Sequence, residues 1–122
     1  PESKAAAPAP VVEQVVRLSA AEPDFSGVPE VDRALHSRAQ RFARVKIAEM
    51  RLYKAKEVRT GRSRRDLYGS LAAEMDAARE TFRKDFLQPC ASMPDYLHLE
   101  IVRTLANDDV SILGPKYPGA LV

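Results

Sequence analysis

Between Pro29 and Gly61 the chain holds no other proline or glycine, and its apolar residues recur at helical spacing. Pro29 suits the first turn of a helix, Glu30 and Asp32 favour its positive end, and Gly61 after Arg59 is a natural C-terminal stop. At 1.5 Å per residue this predicts one helix of roughly 46 Å. At 100° per residue its apolar positions fall into two sectors. Val31, Leu35, Phe42, Val45, Leu52 and Tyr53 share one, and Ala39, Ala43, Ile47, Met50 and Val58 the other. A helix apolar on two sides has to be covered from two sides.

Ser63-Arg64-Arg65-Asp66 has the pattern of a capping box and opens a second helix to about Leu87. Its stripe is Leu67, Leu71, Met75, Ala78, Phe82 and Phe86, spaced three or four apart throughout. Only residues 61–63 separate the two helices, so they form a long antiparallel hairpin over about 29–87. Gln88-Pro89-Cys90-Ala91 breaks the chain. A second capping-box pattern, Ser92 to Asp95, starts a shorter helix with Met93, Leu97, Ile101 and Leu105 on one face, ending near Asn107-Asp108-Asp109. The tail "SILGPKYPGALV" is too apolar for a solvated end and is expected to pack on the bundle or into a partner. The expected fold is therefore all-α: a helical hairpin closed by a third helix and an ordered apolar tail, over 29–122. Residues 1–10, "PESKAAAPAP", read as a linker or disordered tail, and 11–28 as a short amphipathic segment and turn.

Charge sharpens this picture. The formal net charge is only +2. Residues 41–65, however, hold ten Lys/Arg against Glu49 and Glu57, a net +8, while 66–109 hold nine Asp/Glu against four Lys/Arg, a net −5. A hairpin folds the basic half against the acidic half. No apolar run approaches the roughly 18 residues of a membrane span, and no signal-peptide core precedes Pro10. Cys90 is the only cysteine, which excludes an internal disulfide and a cysteine zinc cluster; a reducing, cytoplasmic setting is expected.

Catalytic signals are thin. Glu49 stands in an apolar sector between Val45 and Leu52, with Tyr53 four residues on, and a carboxylate buried there needs a partner such as Tyr68, Arg65 or His98. His98 lies at the edge of its helix's apolar stripe, as a hydrogen-bonded structural histidine does, and His36 stands isolated. Two histidines without ligand-spaced partners predict no metal site. No phosphate loop, serine elbow or carboxylate pair appears, and Cys90 has no base assigned to it. The expectation is a non-enzyme without cofactor or small-molecule substrate.

Association is the stronger reading. A protein–protein interaction or assembly module would dock through Ala43, Ile47, Met50 and Val58 with Leu113 and Tyr117 of the tail, against a protein partner or a second copy as a homodimer, the basic strip steering an acidic partner. The same apolar sector has an internal alternative, cover by the N-terminal segment, third helix and tail. The competing function is nucleic-acid or ribosome binding through Arg41, Arg44, Arg51 and Arg59 with Arg62, Arg64 and Arg65 at the hairpin tip.

Three stretches carry a resemblance: "RFARVKIAEMRLYKAKEVRTGR", "DLYGSLAAEMDAARETF" and "DYLHLEIVRTLANDDVSILGPKYPG". Together they resemble a helical segment at the C-terminal end of bacterial proteins that often carry a zinc-ribbon-like or response-regulator-like module at the other end. The similarity runs from about Arg41 to Gly119. It implies architecture and a bacterial cytoplasmic setting and carries no catalytic residue. Zinc-ribbon cysteines are absent here.

Overall fold

The computed structural model describes residues 27–122, so the reading of 1–10, and that of 11–28 as far as residue 26, lie outside the described residues. The described chain is all-α. A 3-10 turn (Glu30–Asp32), capped by Pro29, leads into α1 (Arg33–Tyr53) and α2 (Ala55–Arg64). Next come α3 (Leu67–Phe82), extended by a π-turn (Arg83–Leu87), and α4 (Tyr96–Glu100), extended by a second π-turn (Ile101–Leu105). A 3-10 turn (Val110–Leu113) and the tail follow.

The long first helix expected from the sequence is two helices. Lys54 leaves helical geometry (φ −124°, ψ 36°) although neither proline nor glycine is near. The bend lets α2 lie along α3 while α1 packs chiefly on α4. The hairpin is therefore short, and its turn lies later than expected. Gly61 does not end the helix. It is buried inside α2, where a Cβ would sit 2.8 Å from the Leu67 Cα. The helix ends at Arg65, in left-handed geometry (φ 56°). Its amide bonds to Arg62 O and that of Asp66 bonds to Gly61 O, the paired closure of a Schellman motif. Here an arginine takes the position that glycine usually fills.

Both predicted capping boxes shift by three residues, for one reason. A carboxylate is at least as good an N-cap as a serine and also meets the positive helix end. Asp66 accepts from the Gly69 amide (3.0 Å) and Asp95 from the His98 amide (2.8 Å), so each aspartate is the cap itself. Asn107 and Asp108 reverse the chain after α4 in left-handed geometry, which their side chains tolerate.

The core is one cluster. The α3 stripe from Leu67 to Phe86 and the third-helix stripe Met93, Leu97, Ile101 and Leu105 are buried as the periodicity predicts. Phe42, Phe82 and Phe86 meet at centroid distances of 5.2–6.2 Å. The tail closes the bundle: Ile112 and Leu113 are buried, Arg79 donates to Gly119 O (2.6 Å) and the Leu121 amide to Asp95 Oδ2 (2.7 Å).

Gly61→Ala should invert the usual helix rule. In an ordinary helix interior alanine gains about 0.5–1 kcal/mol over glycine. Here the added methyl meets Leu67 backbone, and we expect a net loss of about 1–3 kcal/mol by chemical denaturation.

Candidate functional site

The face expected to dock a partner is core. Ala43, Ile47, Met50 and Val58 are buried, Ile47 completely, and so is Leu113. The second sector of the first helix is covered inside the fold, and of the first sector Leu35 and Phe42 pack on the core as well. The smaller side chains of the second sector, Ala39 and Ala43, are fully covered on the side where α1 packs against α4, while Val31, Leu52 and Tyr53 of the first sector are exposed. Tyr117 is half-buried in a clamp of its own. Its ring stacks on His98 (5.6 Å), meets Tyr68 edge-on (6.0 Å) and lies under the Arg79 guanidinium (5.5 Å), while its hydroxyl bonds His98 Nδ1 (2.6 Å).

The seven arginines also divide. Arg62 is half-buried and donates to Leu105 O (2.8 Å) and Thr104 O (3.0 Å), satisfying carbonyls that the end of a helix leaves open. Arg65 turns back to Ser111 and Asp109. These two belong to the fold rather than to a free tip. Arg41, Arg51, Arg59 and Arg64 are exposed and Arg44 is half-buried. Acidic α3 meets the basic half through Lys54–Glu74 (3.4 Å).

Glu49 is not the buried carboxylate its position suggested. Its sector faces out at this level, and it pairs with Lys46 on the same helix (3.5 Å), more than a third exposed. None of Tyr68, Arg65 and His98 is its partner: Tyr68 donates to Asp76, and the other two are engaged as described. Nor is His36 isolated. It is buried, with Nδ1 2.8 Å from Tyr96 Oη and Nε2 3.0 Å from Ser92 Oγ. Ser92 donates to Asp32 Oδ2 (3.0 Å), and Cys90 Sγ lies 3.3 Å away. With the Ser92 proton given to Asp32, its oxygen accepts from His36 Nε2–H and Nδ1 accepts from Tyr96. The cluster ties the start of α1 to the loop before α4. Among the described residues no group of three or more His, Cys, Asp or Glu is arranged to hold a metal, and no helix is long and apolar enough to cross a membrane.

What the structure brings together instead is a groove of about 300 Å³ between α1 and α3. Buried Met50 and Ala78 line it with Ala77 and Thr81, Lys46, Glu49, Lys54 and Glu74 rim it, and Tyr53, 69% exposed, stands at its mouth. In the sequence Tyr53 belongs to an apolar sector of the first helix, and the α3 wall lies outside that helix's stripes. Its signal was present: Gly69, Ala73, Ala77 and Thr81, four apart, form an exposed stripe of small residues on α3. A second cleft, of about 440 Å³, opens between α1 and α4 beside Gln40, Arg44, Tyr96 and Glu100. Its Glu100 is buried and already satisfied by Arg103 (2.9 Å) and Thr104 (2.7 Å).

No known protein family, no curated protein and no solved structure matches the chain. None of these comparisons supports the resemblance carried by the three quoted stretches.

Burial pushes the Tyr117 phenol up to about 12, against the opposing pull of the Arg79 cation. Its proton is therefore held more tightly in the fold than in the unfolded chain, where tyrosine ionises near 10. That contribution is complete below pH 10 and is lost as pH rises from 10 through 12. The guanidinium unfolding midpoint should fall over this window, less steeply in Tyr117→Phe. Some slope should remain from Tyr96, raised by burial, and Tyr68, raised by its bond to Asp76.

Proposed function

We propose that this domain is a non-catalytic protein–protein interaction module that docks through the α1–α3 groove. One observation carries the reading: Tyr53, with Leu52 beside it, is held in solvent next to a concave apolar surface. Amphipathic aromatic side chains are what interface centres favour, and an exposed aromatic next to an apolar pocket supports a surface that waits for cover. From the sequence resemblance the reading takes a bacterial cytoplasmic setting.

The exposure of Arg41, Arg51, Arg59 and Arg64 favours a second reading, nucleic-acid or ribosome binding. It is narrower than the sequence suggested, because Arg62 and Arg65 are engaged within the fold.

The docking reading is tested with a photo-reactive benzoylphenylalanine at position 53 of the full chain, illuminated in cells, with the same residue at exposed Lys116 as control. A discrete protein adduct at 53 and not at 116 is expected. Adducts at neither position, or equally at both, would overturn it.

A further inference from the structure

The charges around the groove say what kind of surface it fits. Its rim holds two lysines, Lys46 and Lys54, and two glutamates, Glu49 and Glu74, and is neutral, where the basic half of the chain meets acidic α3. A surface selected for an acidic partner would extend the excess of Lys and Arg across its rim. A balanced rim suits a contact made twice, in reverse, by identical surfaces: in an isologous pair every cation of one copy can face an anion of the other, and every contact is doubled.

The apolar parts agree. Tyr53 projects from the bend at Lys54 and the groove beside it is concave, so the same patch carries a protruding aromatic and a hollow of about 300 Å³, enough for one such ring. The α3 side of the patch is exposed and small, with Ala77 and Thr81 in the wall of the hollow and Ala73 one turn before Ala77, so a second helix pair can approach closely. The two rim ion pairs, Lys46–Glu49 (3.5 Å) and Lys54–Glu74 (3.4 Å), are solvent-exposed surface pairs whose exchange for pairs between copies costs little.

Resting on the docking reading above, we propose that the occupant of the α1–α3 groove is a second copy of this chain. Tyr53 of each copy enters the groove of the other, and Lys54 of each meets Glu74 of the other, giving a two-fold bundle with α1 and α3 of both copies at its centre.

Sedimentation equilibrium of the full chain at roughly 10–500 μM tests this, because its concentration range spans weak self-association. A reversible species of twice the 13.5 kDa chain mass is expected. Tyr53→Asp and Ala77→Arg, both at exposed positions, should each weaken it at least tenfold with unchanged circular dichroism and melting temperature. Glu74→Lys should weaken it as well, and Glu74→Lys combined with Lys54→Glu should restore it, with the melting temperature unchanged in both, since the same swap also restores the pair within one copy. A wild-type monomer over the whole range overturns the proposal. So does a dimer that is indifferent to both Tyr53→Asp and Ala77→Arg. If the cross-link at position 53 goes to a different protein while the chain stays monomeric, the self-pairing falls and the docking reading stands.

Discussion

The close approach of α2 to α3 at Gly61 organises the molecule, because the turn that follows has to be made in two residues. With Leu67 backbone where a Gly61 side chain would be, the helices leave no room for a longer loop, and the chain closes through Arg65 in left-handed geometry. For a non-glycine residue that conformation costs about 1–2 kcal/mol. Contacts of the same turn offset it. Arg65 reaches Ser111 and Asp109, Arg62 caps the carbonyls that end the second π-turn, and Gly114 of the tail lies directly on Asp66, where a Cβ would come within 2.4 Å of the carboxylate. Four parts of the chain, α2, α3, the end of α4 and the tail, thus meet at one tight turn.

That arrangement decides which charges and faces remain available to a partner. Two of the three arginines that looked like a free tip are consumed in closing the fold. The bend at Lys54 then separates the work of the two halves of the basic arm: α2 stays with α3, and α1 turns its alanines toward α4. What α1 leaves uncovered is its other edge, with Tyr53, Leu52 and the groove against α3. The docking surface is the consequence of a helix bent so that one apolar sector is fully covered and the other is not.

The helices themselves were legible because periodicity is dense where they run. The stripes Leu67 to Phe86 and Met93 to Leu105 name the core of α3 and the third helix residue by residue. The boundaries were harder, since Ser63 and Ser92, each with an acid three residues on, match the capping-box pattern better than Asp66 and Asp95, which are followed there by Gly69 and His98, and yet the carboxylates made the caps. The bend at Lys54 has no signal in residue type at all. Without it, the two sectors of one straight helix look equally suited to the core, and their assignment went the wrong way. The same error made Glu49 look buried, and the polar tie of His36, Tyr96, Ser92 and Asp32 was invisible because its members lie about sixty residues apart.

Arg62 and Arg65 of the hairpin turn serve the fold. The most direct test is the stability of Arg62→Ala beside Arg64→Ala, by guanidinium denaturation at neutral pH. Loss of two charge-assisted bonds to half-buried carbonyls should cost Arg62→Ala about 1.5–3 kcal/mol. Exposed Arg64→Ala should stay within about 0.5 kcal/mol of the wild type. Equal and negligible effects at both positions would contradict the account and return Arg62 to the pool of residues available for a ligand.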